Sequence, residues 1–373
     1  MCKNLRQRIG GIWLTGDLEK TASKIISRIK KEADGKEYTF MHVCGTHQDT
    51  LVRHGLDHLL KDTGITIRQG PGCPVCVTTP REIEEALLLA KSGKSIAVFG
   101  DMLKVPGSTG SLADSKTTGC DINIVYGAED AVKIATKNPE KEVVFCAIGF
   151  ETTAPTTASI LDANPPENLS VLSFHRTVPP ALKFIASSGE VRLNGLIEPG
   201  HVSAIIGIEP YRFLTEEYGM PQVVAGFQPL DLLMGIYMLV HQVSLGQTKL
   251  ENEYGRVVPH DGNPRALELM EKVLGPVDVE WRGFPIIPGS GLELRDEYSV
   301  WDARKKYSDV LEPLDDIEFK EHPGCRCGDV LRGVFEPEQC PLFGKECKPS
   351  NPIGPCMVSY EGGCAIAYKY GRR

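Results

Sequence analysis

The chain has 373 residues, 41% hydrophobic and 24% charged, with a formal net charge of -8. That length exceeds one ordinary core and points to two or three globular domains. The acidic balance, with no basic stripe, excludes a nucleic-acid binder.

The first twenty residues carry only a short apolar stretch at 10–14, with no signal-peptide core or cleavage site. A cytoplasmic protein is therefore expected, where a disulfide framework has no place. Short β-branched runs follow at 39–43, 65–68, 96–99, 122–126, 143–148, 171–174 and 223–225. Helical periodicity separates them, most clearly at 18–33, 81–92, 129–136 and 230–243. The segment 223–243 is as long as a membrane span, but Gln228, Pro229, Asp231 and His241 interrupt it, so it reads as a strand, a turn and a buried helix. Alternating strands and helices predict parallel sheets in an α/β architecture. The expected layout is one α/β domain over 1–138, a second over 139–255, and a cysteine-rich domain over 256–373.

The unusual residues fall just after these strands. Cys44-Gly45-Thr46-His47 follows the first, Gly70-Pro71-Gly72-Cys73-Pro74-Val75-Cys76 the second, and Gly149-Phe150-Glu151 a later one. Pro199-Gly200-His201 and Gly226-Phe227-Gln228-Pro229 also lie beyond short apolar runs. In open α/β sheets the carboxyl ends of the strands form the ligand crevice, so these loops are expected to converge on one cleft. Cys44 differs from a buried packing cysteine because His47 is near enough in sequence to lower its pKa and leave a thiolate for a soft metal. Cys73 and Cys76 have the spacing of a dithiol that closes a small disulfide or supplies two metal ligands. Glu151, among several threonines, has the ordinary use of a helix cap. His201 and His175 read equally well as core or site residues, and its loop position favours a function for His201. Cys146 reads as a small hydrophobe inside a strand, and Cys2 and Cys120 carry no motif.

Six of the twelve cysteines lie in the last 49 residues: Cys325, Cys327, Cys340, Cys347, Cys356 and Cys364. The gaps are rich in Gly and Pro, so the backbone can fold several thiolates around one centre. A [4Fe-4S] cluster takes four cysteines and so does a structural zinc; either leaves two thiols over, enough for a redox disulfide beside the metal. Only Cys325 and Cys327 are close in sequence, which disfavours the paired knuckles of a zinc site. A zinc-stabilised interaction module and a thiol-disulfide reductase stay open beside an iron-sulfur redox protein.

Taken together, MHVCGTH (41–47), GPGCPVC (70–76), GFETT (149–153), EPGHVSAIIG (198–207) and CRCGDVLRG, CPLFGKEC and GPCMVSYEGGC (325–364) resemble the HypD family of hydrogenase maturation factors. The resemblance runs from about residue 37 to the C-terminus. It implies two similar Rossmann-like α/β domains and a C-terminal iron-sulfur domain. It implies a redox-active scaffold, rather than a conventional turnover enzyme, on which the Fe(CN)2CO moiety of [NiFe]-hydrogenases is assembled. The partners it implies are HypC, HypE as the source of cyanide, and the hydrogenase large subunit reached through HypC, with no nucleic acid and no membrane. Carried onto this chain, Cys44 would hold the transient iron with Cys73 and Cys76 beside it. Cys325, Cys340, Cys347 and Cys364 would ligate a [4Fe-4S] cluster, and Cys327 with Cys356 would form a neighbouring disulfide. His47 would tune the Cys44 thiolate, and His201 and Glu151 would move protons in the cleft.

Overall fold

The structure, a computed structural model, describes residues 16–371. Its strands in chain order are β1 (Tyr38–His42), β2 (Ile65–Gln69), β3 (Ser95–Phe99), β4 (Ile122–Val125), β5 (Val143–Gly149), β6 (Leu169–Arg176), β7 (Gly195–Pro199), β8 (Gln222–Ala225), β9 (Leu250–Asn252), β10 (Leu274–Glu280) and β11 (Ile286–Leu294). They form two sheets. The first, in the order β2-β1-β7-β8-β9, is parallel throughout; the second, β10-β11-β6-β5-β3-β4, is parallel except for β10 and β11. The mixed α/β class with two parallel-dominated sheets is the one expected from the sequence.

The sheets do not divide at residues 138 and 255. β1 and β2 pair in a sheet with β7, β8 and β9, while β3 and β4 join β5 and β6. The chain thus crosses from the first sheet to the second after β2 and returns after β6. It crosses once more to place β10 and β11, expected among the cysteine-rich residues, against the edge of β6. Periodicity identifies each βα unit but carries no information on which of two sheets a strand will join. The segment 223–243 forms β8, a turn and the helix Pro229–Ser244, which lies against the helix Gly16–Ala33. Among the described residues no helix is long and apolar enough to cross a membrane.

Strand alternation sorts the core into layers. In β7, Ile197 faces the layer of Ile29, Phe40 and Ile236 outside the first sheet. Leu196 faces the other way, into the layer shared with Val144, Leu172, Tyr211 and Trp281. With a period of two, Glu198 therefore points into this same inner layer. A third layer, with Ala131, Phe145, Ala158 and Leu161, covers the far face of the second sheet. β5 and β6 are buried along their whole length; β5 accordingly reads as an unbroken apolar run, while β6 buries Ser170, Ser173, His175 and Arg176 with hydrogen-bond partners.

One buried ion pair anchors the dithiol loop to the second sheet. The helix Pro80–Lys91 begins four residues after Cys76 with a capping box between Thr79 and Glu82. The Glu82 carboxylate accepts from the Thr79 amide at 2.8 Å and its hydroxyl at 3.0 Å, and from Arg176 Nη2 at 2.6 Å. Arg176 ends β6, and its guanidinium also donates to the carbonyl of Glu280 at 3.1 Å. Both side chains are buried, so removing one strands the other charge without water. Glu82→Ala is expected to destabilise the protein by about 3–5 kcal/mol in equilibrium denaturation, and Arg176→Met together with Glu82→Leu by much less.

Candidate functional site

The carboxyl ends of strands from both sheets meet over a cleft of about 500 Å³, walled in part by Cys44, Gly72, Asp101, Thr152, His201 and Glu361. The loops after β1, β2, β5 and β7 converge here as expected, whereas the loop 226–229, expected with them, contributes no lining residue and meets the cleft only through Phe227 stacked on His201. Cys44 sits at the N-cap of the helix Gly45–Arg53 in extended backbone, φ -150° and ψ 127°. The loop after β2 packs directly on it. Gly45 N–H donates to the carbonyl of Gly72 at 3.1 Å, and a Cβ on Gly72 would lie 2.2 Å from the Cys44 amide nitrogen. No residue but glycine fits there.

Cys73 and Cys76 are joined by a disulfide, and both are fully buried. Cys73 caps the short helix Pro74–Val77, its Sγ accepting from the Cys76 amide at 3.1 Å. One side of this loop, Pro74 and Val75, faces the Cys44 cleft. The helix itself also packs against the turn Pro355–Met357, which contains Cys356, and against the helix Cys327–Leu331.

The six C-terminal cysteines come together. Cys325, Cys327, Cys340, Cys347, Cys356 and Cys364 all line one small cavity with Leu342, Phe343 and Met357. Cys327 Sγ and Cys356 Sγ approach to 2.6 Å. Shared sulfur contacts push the Cys327 thiol well down, while its neighbours Cys325 and Cys356 are pushed up. Gly354 leaves room beside them, since a Cβ there would lie 2.9 Å from Cys325 Sγ. Among the described residues no three His, Cys, Asp or Glu side chains already stand at metal-ligand spacing. The donor set is nonetheless six sulfurs on an apolar cavity, which suits a thiolate-bound iron-sulfur cluster and not a hard cation.

Two of the expected site residues, His47 and Glu151, do not line the cleft. The His47 ring is bonded to backbone: its Nε2 reaches the carbonyls of Ala225 at 3.2 Å and Gly226 at 3.0 Å. Burial pushes Cys44 up to about 11, and His47 opposes that only through its backbone N–H. The free thiol is therefore protonated at neutral pH. Glu151 lies behind the cleft wall and not in it. Its Oε1 accepts from the Val178 amide at 2.8 Å and so caps the helix Val178–Ser188, while burial pushes the carboxyl up to about 7. His175 is a core histidine, bonded to Thr157 Oγ1 at 2.9 Å. Cys146 is buried in β5, as expected of a packing cysteine, and Cys2 lies outside the described residues.

A family model named HypD, described as "Hydrogenase formation hypA family", matches residues 20–371. A putative hydrogenase expression/formation protein of Methanocaldococcus jannaschii is 46% identical over 94% of this chain and 97% of its own length. Hydrogenase maturation factor HypD2 of Bradyrhizobium diazoefficiens is 43% identical over 95% of each chain, and HypD of Cupriavidus necator 43% over 94% of each. The chain belongs to the HypD family. Its field of action is hydrogenase maturation.

Sequence reasoning missed several residues that this HypD-family cleft contains. Asp101 follows β3 in Phe99-Gly100-Asp101, at the carboxyl end of a strand, so the topological rule that found the other loops applies to it as well. Glu361 arrives from the cysteine-rich segment and packs on Gly45; burial, with Asp101 nearby, pushes its carboxyl up to about 7. Glu198, in β7 but not among the residues that line the cleft, is wholly buried with neither carboxylate oxygen hydrogen-bonded, and burial pushes it up to about 8. A raised carboxyl pKa means that the folded state holds a proton the unfolded chain has released. The stabilisation is complete below the ordinary value of 4.5 and is lost as pH rises through about 8. The denaturation free energy is expected to fall between pH 5 and pH 8, with Glu198 contributing up to about 1.4 kcal/mol per pH unit. Glu198→Gln should flatten that slope.

Proposed function

We propose that this HypD-family protein is the redox-active scaffold on which the Fe(CN)2CO moiety of [NiFe]-hydrogenases is assembled, with the Cys44 thiolate holding the iron as cargo. The observation that carries this reading is the placement of the Cys73–Cys76 loop. It touches the Cys44 backbone on one side and the Cys327 and Cys356 elements on the other. A lone thiol in a roomy cleft leaves the remaining positions of a soft ferrous ion open to other ligands. Because Cys44 is protonated at neutral pH, taking up the iron releases a proton to solvent.

Cys325, Cys340, Cys347 and Cys364 would hold a [4Fe-4S] cluster, which when bound supplies electrons one at a time. The other two cavity cysteines, Cys327 and Cys356, have their sulfurs 2.6 Å apart and suit a dithiol-disulfide couple. As a dithiol this pair reduces the Cys73–Cys76 disulfide: the bond between Cys73 and Cys76 breaks, one forms between Cys327 and Cys356, and two electrons and two protons pass between the pairs. Two reducing equivalents thereby reach the wall of the iron cleft. HypC would complete the iron site, HypE would bring cyanide, and the finished moiety would pass to the hydrogenase large subunit.

A thiol-disulfide reductase acting on a partner's disulfide would use the same sulfurs. The full burial of Cys73 and Cys76 disfavours it, because a protein disulfide would have to reach them for in-line attack.

The test is infrared spectroscopy of the anaerobically purified complex with HypC. The unaltered chain is expected to give iron-bound CN and CO bands, and to carry about four iron and four sulfide in its C-terminal domain. Cys44→Ala should keep that iron and sulfide but lose the bands, and Cys44→Ser should fail as well, since a hydroxyl is a poor ligand for soft iron. Cys340→Ala should lose the cluster. Bands retained in Cys44→Ala would place the iron elsewhere, and stoichiometric zinc without sulfide would reject the iron-sulfur domain.

A further inference from the structure

Three loops from the first sheet bring three rings into one stack. Phe227, just beyond β8, lies between His201 (centroids 3.7 Å apart, planes 22°) and His47 (4.9 Å, 27°). Tyr254 closes the edge of the Phe227 ring at 5.9 Å. The central plate is fixed from behind. Thr50 Oγ1 donates to the Phe227 carbonyl at 2.7 Å, and His47 Nε2 bonds the two carbonyls before it.

The two histidines differ in what else holds them. His47 is wholly buried and tied to the backbone. His201 lines the cleft with Cys44, and among the described residues neither of its ring nitrogens has a hydrogen-bond partner. His42 and His175, the other buried histidines, both have side-chain partners. An imidazole with two free nitrogens at a ligand cleft is available to what binds there, but a half-exposed side chain with no hydrogen bond would ordinarily sample several rotamers. Face-to-face contact with an immobile ring supplies the missing constraint.

We propose that Phe227 is a positioning residue, its ring holding the His201 imidazole over the Cys44 cleft as a hydrogen-bonding group for a small anionic ligand of the bound metal. This rests on the scaffold reading of Cys44. Cyanide bound to iron through carbon leaves a nitrogen lone pair that accepts hydrogen bonds, whereas bound CO is a much poorer acceptor. A donor at His201 therefore acts on the CN stretches and leaves the CO stretch nearly alone.

The experiment compares Phe227→Leu, Phe227→Tyr and His201→Ala in two measurements. The first is the proton NMR shift of the His201 ring in the metal-free chain, which a ring stacked at this distance moves upfield. That displacement should vanish in Phe227→Leu and persist in Phe227→Tyr. The second is the infrared spectrum of the anaerobic complex with HypC. Phe227→Leu and His201→Ala should shift the CN bands alike, the double variant should shift them no further, and Phe227→Tyr should leave them in place. If the NMR shift is lost in Phe227→Leu while the CN bands keep their frequency and intensity, the positioning role is overturned and the scaffold reading stands. If His201 keeps its shift in Phe227→Leu, the stack does not position it. If the unaltered complex has no CN bands, the scaffold reading fails, and the ligand role proposed for His201 fails with it.

Discussion

The site depends on one backbone-to-backbone approach. Gly72 sits so close to Cys44 that no side chain fits between them, and the Gly72 carbonyl takes the first amide of the helix that Cys44 caps. Everything else is arranged around that contact. It joins a lone thiol to a disulfide-bearing loop, and the same loop is clamped on its far side by the Thr79 and Glu82 cap and the Arg176 guanidinium. A shift of one ångström at Gly72 would reach the iron ligand and the dithiol together.

Burial sets the chemistry in and behind the cleft. The Cys44 thiol, Glu151, Glu198 and Glu361 are all pushed toward their protonated, uncharged forms by loss of water. A change of charge beside such groups is eased when protons move with it. The C-terminal cavity solves a different problem. There the sulfurs themselves crowd together, and contact between Cys325, Cys327 and Cys356 separates thiols that ionise readily from thiols that do not. The exchange of electrons proposed between the two regions is an exchange between an acid-lined cleft and a sulfur-lined one.

The interleaved topology explains how the two come to touch. Because β1 and β2 belong to the first sheet and β3 to β6 to the second, the loops after β2 and β6 must span the layer between the sheets. The dithiol loop lies on the first of these crossings. The Gly149-Phe150-Glu151 loop faces it from the second sheet, and the His201 loop from the first. A chain divided at residue 138 would have put these groups in separate domains.

The sequence by itself determined the α/β class, the positions of most strands and helices, and the membership of the cleft loops. These follow from periodicity and from the rule that ligands bind beyond the carboxyl ends of parallel strands, both of which act over a few residues. The family also was legible, because seven short motifs recur in order. What the tertiary structure decided were relations between distant segments. Cys44 and His47 are three residues apart, yet the His47 ring nitrogen is taken up by the carbonyls of Ala225 and Gly226, bonds across 178 and 179 residues that proximity in sequence does not reveal. Glu151 is next to cleft residues but spends its carboxylate on the amide of Val178. Glu361 reaches the cleft from the cysteine-rich segment, which no local pattern could bring to it. Sheet membership fell in the same class, since a βα unit buries its apolar face equally well in either sheet until the whole chain has packed.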